Sequence, residues 1–161
     1  MMEKLLISSP DFSEGDWIPR DFSARGKDLS PEIHIAGICD QAVSMAITMD
    51  DASHPLFPNY NHWVIWNLPI QPIIPGSIPK CEKVVNLSDA FQGIGYGKHC
   101  YKGPKPPFRS IHKYTFTVYI LDCKILLFPK SNRDDLLVAM EGHILQKATL
   151  SGKFQSFRKE I

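Results

Sequence analysis

Three short stretches hold most of the residue types that do chemistry. The first, Asp50-Asp51-Ala52-Ser53-His54-Pro55, puts two carboxylates, a hydroxyl and an imidazole directly after an apolar segment. On a loop at the end of a packed strand such side chains can meet a ligand, although the same residue types also make an ordinary turn. The second, Asn61-His62-Trp63-Val64-Ile65-Trp66-Asn67, inserts one histidine into an otherwise apolar run. An imidazole there can donate a hydrogen bond to an anion, and is charged when protonated near its ordinary pKa of about 6.5; backbone at the edge of a core can satisfy it equally well. The third stretch runs from Gly95-Tyr96-Gly97 through Gly103-Pro104-Lys105-Pro106-Pro107 to His112-Lys113-Tyr114. Its glycines permit close approach of a ligand and its prolines stiffen the loop before binding, and a rigid loop without a ligand has the same composition.

Three reaction classes can be set against this inventory. A metal could recruit Asp51, His62 and His112, but no local ligand spacing fixes them. Ser53 lacks the nucleophile-elbow pattern, and the adjacency of His99 and Cys100 does not align a base with a thiol. The glycines around Tyr96 form neither a dinucleotide fingerprint nor a Walker loop. Catalysis is therefore the minority reading, and neither a catalytic residue, a metal nor a cofactor is assigned.

The elements that must carry these residues are mostly strands. Segments rich in β-branched and aromatic residues run over 4–7, 33–35, 43–49, 62–67, 83–87 and 113–121. Met45, Ile47 and Met49 alternate on one face, as do Tyr114, Phe116, Val118 and Ile120. Thirteen prolines fall mostly between these segments, where strands end or loops take shape. After Pro129 the period changes: Asp134 and Asp135 can open a helix carrying Leu136, Leu137 and Met140, interrupted near Gly142. Ile144, Leu145, Ala148 and Leu150 predict a second helical segment ending before Gly152. The expected architecture is mainly β with a small C-terminal helical layer.

A chain of 161 residues suits one domain, 1–161, and the proline-rich stretch 70–80 reads as a shaped connection inside it. Eighteen basic against 17 acidic side chains leave a formal charge of +1, with no basic stripe of the kind a nucleic-acid binder carries. Cys39, Cys81, Cys100 and Cys123 show no paired short spacing, so neither zinc nor a redox dithiol is indicated, although their number permits disulfides. No stretch is long enough to span a membrane as a helix, and the apolar N-terminal run is too short for a signal-peptide core. These features predict a cytoplasmic protein with reduced cysteines.

Taken together, the three stretches resemble the phosphatidylethanolamine-binding protein family, also called Raf kinase inhibitor-like, in its compact bacterial and archaeal branch. Asp51-Ala52-Ser53-His54-Pro55 followed by His62-Trp63 resembles the family's Asp-Pro-Asp-x-Pro loop and His-Trp strand, with Ser53 in place of the second acid and Ala52 in place of the first proline. Gly103-Pro104-Lys105-Pro106-Pro107 and His112-Lys113-Tyr114 match its Gly-Pro-x-Pro-Pro and His-Arg-Tyr region; Asp122 and Gly142-His143 match later positions. The resemblance implies a Greek-key β-sandwich with peripheral and C-terminal helices. It also implies a small anion-binding pocket lined by Asp51, His62, His112 and Tyr114, with the Gly103-Pro104 loop supplying amides and Ser53 adjusting headgroup preference. Phosphate or a phosphorylated small molecule is the expected ligand. A regulator or inhibitor acting through a protein partner, independently of the pocket, is the alternative, hydrolysis is a weaker one, and a homodimer is compatible with both main readings. In this picture His143 packs within the late helical segment. Lys98, Lys102 and Lys105 form a cationic rim that either steers an anion or merely solvates the loop. Trp63, Trp66, Phe108 and Phe116 could line an organic ligand but suit a core better.

Overall fold

The eight residues from Ser44 to Asp51 form strand β3, buried along its whole length. Such a strand needs apolar cover on both faces. On one face Met45, Ile47 and Met49 meet Ile33, Ile35 and Ile74 of a second sheet, and on the other Ala46 packs with Leu136 and Met140 of a helix. The computed structural model, which describes residues 4–158, is thus a sandwich of two sheets with one helix on the outer face of the larger. The smaller sheet contains β1 (Leu6–Ser8), β2 (Ile33–Ala36) and β5 (Ile73–Ile74) in the order β1-β2-β5. In the larger sheet β3 is joined by β4 (Tyr60–Leu68), β6 (Lys83–Val84), β7 (Ala90–Gln92), β8 (Ile111–Leu121) and β9 (Ile144–Gln155). Its order is β6-β7-β4-β3-β8-β9. Within it β8-β3-β4-β7 is the Greek-key arrangement, since β8 returns after a long connection to lie beside β3; β4 reaches β7 through β5 and β6 rather than by a hairpin. Segment 70–80 is a connection inside the domain, as expected, and contributes β5 to the smaller sheet.

Two expectations about the strands and helices need correction. Residues 83–87 are only half strand, because Val85–Leu87 turn into a 3-10 helix. More consequentially, the second late helix is not a helix: residues 144–155 form β9, paired antiparallel with β8. Ala148, Leu150, Gly152 and Phe154 lie opposite Val118, Phe116, Tyr114 and His112, which is period-two burial against the core. Ile144 pairs with Leu121 and Gln146 with Ile120, so Leu145 is the extra residue of a bulge, and the strand's alternation resumes only beyond it.

The one α-helix among the described residues, α1, spans Arg133–Met140. Asn132 caps it rather than the two aspartates: its side chain accepts from the Asp135 amide at 3.0 Å while Asp135 accepts from the Asn132 amide at 3.0 Å. Leu136 and Met140, four apart, are the buried stripe. Gly142 follows at φ +78°, a left-handed turn that redirects the chain into β9. His143 lies in that turn, exposed and bonded to Asp122, not packed in a helix.

Candidate functional site

The larger sheet ends in a cavity of about 340 Å3 lined by residues from three strands and two loops. Pairing alone explains the convergence. Asp51, the last residue of β3, lies opposite Tyr60 on β4 and Tyr114 on β8. On β4 the register shifts between Met49, which pairs with Trp63, and Asp50, which pairs with Asn61, leaving His62 as the extra residue of a bulge. A bulge re-aims side chains, and here the His62 ring comes within 5.4 Å of the Tyr114 ring, centroid to centroid.

Each polar group is held by a partner on its far side. The Asp51 carboxylate accepts from the Ser53 amide through Oδ1 at 2.8 Å and from His112 Nδ1 through Oδ2 at 2.7 Å. A carboxylate on Nδ1 fixes the tautomer and leaves Nε2 for a ligand. His62 Nδ1 donates to the Lys102 carbonyl at 2.8 Å, which likewise leaves its Nε2. Burial lowers the His62 pKa from its ordinary value, against the raising effects of the Lys102 carbonyl and the Asp51 charge, so the imidazole is neutral at pH 7. Burial raises the Tyr114 hydroxyl far above its ordinary range, with Asp51 adding to the effect. The Lys105 backbone pulls against that rise, and a protonated hydroxyl can donate to an acceptor in the cavity.

The rest of the lining is aromatic and stiff. His54 stacks on Tyr60 with ring centroids 4.8 Å apart, and its Nδ1 accepts from the Leu56 and Phe57 amides. Tyr96 sits 4.9 Å from His62 and beneath the Lys102 ammonium, while Lys105, Pro106 and Pro107 close one wall. Lys98 is exposed and outside the lining.

Of the seven residues expected at the site, Asp51, His62, His112 and Tyr114 line this cavity and Ser53, Gly103 and Pro104 do not. Ser53 faces a different depression with Lys113 and Lys153, and its hydroxyl accepts from the Lys113 amide at 3.0 Å, pinning the loop to β8. The Gly103 amide is already committed to Asp28 at 2.6 Å, so it has no donor to spare for an anion. A Cβ at Gly103 would run into the Phe22 carbonyl; the close approach that requires glycine is to the chain's own backbone. Pro104 is buried and its carbonyl accepts from Ala24. Trp63, Trp66 and Phe116 belong to the core, while Phe108 is exposed. Tyr60 and Tyr96 were the missed residues, and His54, which lies within the first polar stretch, was left out of the expected lining. Only the folded loops bring the three to the cavity. The four cysteines are free thiols.

Fold and pocket together define a two-sheet β-sandwich with a small polar cavity, rimmed by histidine and tyrosine, at one end of its larger sheet. A family model described as phosphatidylethanolamine-binding protein matches residues 8–155, and the chain belongs to that family. A UPF0098 protein of Pyrococcus abyssi is 37% identical over 155 residues, covering 95% of this chain and 86% of its own. A UPF0098 protein of Pyrococcus horikoshii is 36% identical over 156 residues, with 95% and 78% covered. Among solved structures, the Chlamydia trachomatis protein described as a phosphatidylethanolamine-binding protein homologue superposes with a TM-score of 0.83 at 26% identity, over 98% of this chain and 99% of that one. Escherichia coli YbcL shares the fold at 20% identity and a TM-score of 0.82, over 94% and 98%. Among the described residues no helix is long and apolar enough to cross a membrane.

Proposed function

We propose that the cavity binds a small anion, with the phosphoryl group of a small molecule as the best-fitting occupant. The observation that carries this reading is the bonding pattern of the two histidines. Both Nδ1 atoms are tied back, to Asp51 and to Lys102, which leaves both Nε2 atoms for a ligand, and the two rings line one cavity with Tyr114. A tetrahedral oxyanion takes several donors at once, and its charge draws a proton onto imidazole, turning Nε2 from acceptor into charged donor. Lys105 on the wall adds a fixed positive charge. With both oxygens already bonded, Asp51 acts on His112 rather than on the anion. A volume of about 340 Å3 suits a headgroup-sized ligand and not a large cofactor, and the family description, phosphatidylethanolamine-binding protein, agrees with that class.

Titration with phosphate and with phosphoethanolamine, followed by two-dimensional NMR, tests the reading. Saturable shifts centred on His62, His112 and Tyr114, lost in His112→Ala, are expected. Shifts absent at millimolar ligand, or unchanged in that variant, would overturn it and direct attention to a protein partner acting outside the pocket.

A further inference from the structure

At the other end of β8, about 30 Å along the strand from His112, Asp122 and Cys123 leave the sheet beside His143. Three backbone contacts fix this corner. The Asp122 amide donates to the His143 carbonyl at 3.1 Å, the His143 amide donates to Met140 at 2.9 Å, and the Ser44 hydroxyl donates to the Cys123 carbonyl at 2.6 Å. Among the described residues Asp122, Cys123 and His143 are the one group of three metal-ligating side chains whose donor atoms, a carboxylate oxygen, a sulfur and an imidazole nitrogen, all lie within 4.8 Å of one another.

The cluster is not a nucleophile paired with a base. His143 Nδ1 lies 2.8 Å from Asp122 Oδ1. The imidazole therefore leans on the acid, whereas an activated cysteine needs the imidazole on its sulfur. A cation at the centre would suit all three donors. In a tetrahedral zinc site, bonds of about 2.0–2.3 Å put neighbouring ligand atoms about 3.3–3.6 Å apart. The carboxylate and imidazole already stand inside that separation, and drawing in the sulfur takes about 1 Å of side-chain rotation. Cys123 is partly buried against the helix-side core, whereas Asp122 and His143 are 41% and 46% exposed, so these two can move to meet the sulfur and solvent can fill the fourth position.

We propose that Asp122, Cys123 and His143 bind a thiophilic divalent cation of the zinc class, as three protein ligands with one open coordination position. Binding displaces the thiol proton to solvent and exchanges the Asp122–His143 hydrogen bond for metal–ligand bonds. One sulfur and one nitrogen in the set select zinc, cobalt or nickel over magnesium and calcium, which take oxygen ligands.

Cobalt(II) added alone to the full chain is the probe, because a cobalt–thiolate bond has a near-ultraviolet charge-transfer band and a tetrahedral ion absorbs strongly in the visible. The site predicts both signals, saturating at equimolar metal, abolished by zinc but not by magnesium. Cys123→Ser removes the charge-transfer band, His143→Gln weakens binding at least about tenfold, and Cys81→Ser, at the exposed thiol, changes neither. Should Cys123→Ser fold poorly, the exposed His143 variant carries the test alone. No charge-transfer band at millimolar cobalt, or a band that survives loss of Cys123 or is unmoved by loss of the His143 imidazole, would overturn the proposal.

Discussion

Asp50 and Asp51 are consecutive carboxylates at the end of one strand, both almost fully buried, and they do different work. The pleat of β3 sends them to opposite faces of the sheet. Asp50 points to the helix side, where Arg133 Nε donates to it at 3.2 Å and Asn61 Nδ2 at 3.0 Å. Burial raises its pKa, and Asn61 and Arg133 pull against that rise. Asp51 points to the cavity and holds His112. One acid fastens α1 to the sheet and the other orients an imidazole, so type and position in sequence do not separate structure from function here. The partner does: a cation that completes a buried pair, or a histidine whose second nitrogen is left over.

The sharpest way to break this comparison is to remove each acid in turn. Asp50→Ala removes the buried partner of the Arg133 guanidinium, leaving it the exposed Asp134 at 3.6 Å, and should cost about 2–3 kcal/mol of stability, below the range for a fully buried pair because Arg133 keeps 24% of its side-chain surface in water. Denaturant midpoints measure that loss, while phosphate-induced NMR shifts at His62 and His112 should survive. Asp51→Asn should do the reverse. It leaves the acceptor for the Ser53 amide largely intact but unfixes the His112 tautomer, so phosphate affinity should fall about 10- to 100-fold, or about 1.4–2.7 kcal/mol, with a smaller change in stability. If both variants lost stability equally and bound phosphate equally well, the division of labour would be wrong.

The cavity's polar half was legible in the sequence and its aromatic half was not. Asp51, His62, His112 and Tyr114 sit at strand ends within recognisable motifs, where alternation and register bring them together. Tyr60, Tyr96 and His54 belong to the cavity only because loop 54–60 folds against the turn at Gly95 and Gly97, a contact between distant segments that no local pattern encodes. Gly103 marks a further limit: glycine signals that something comes close, and here it is the Phe22 carbonyl rather than a ligand. The helical reading of 144–150 failed for a related reason. The adjacent apolar pair Ile144-Leu145, accommodated by a bulge opposite Ile120 and Leu121, breaks the alternation and mimics one helical turn, while the longer alternation through Phe154 carried the truer signal.

The two histidines sharpen the comparison through pH. Burial lowers the folded-state pKa of His62 below about 6.5, so as pH falls through that value the unfolded chain takes up the proton first and the native state loses stability. Above it the contribution is flat. His62→Gln should therefore flatten the loss of thermal stability between pH 7 and 5, by less than about 1.4 kcal/mol per pH unit. Saturating phosphate should have the same effect in the wild type, since the anion supplies the imidazolium with a counter-charge. An unaltered slope in both experiments would show that His62 does not exchange a proton with the pocket.

Ser53 tests the boundary of the site, because it replaces an acid of the family's loop and yet faces away from the cavity. Its hydroxyl accepts the Lys113 amide, and its own amide meets Asp51 Oδ1, so it reaches the pocket only through backbone. Substituting the side chain keeps the second bond and removes the first. Ser53→Ala should accordingly cost about 0.5–1 kcal/mol of stability and shift phosphate or phosphoethanolamine affinity less than about twofold, or about 0.4 kcal/mol. A larger change, or a change in preference between the two ligands, would mean that the loop carrying Ser53 turns its hydroxyl inward on binding, and the site would then include a residue outside the present lining.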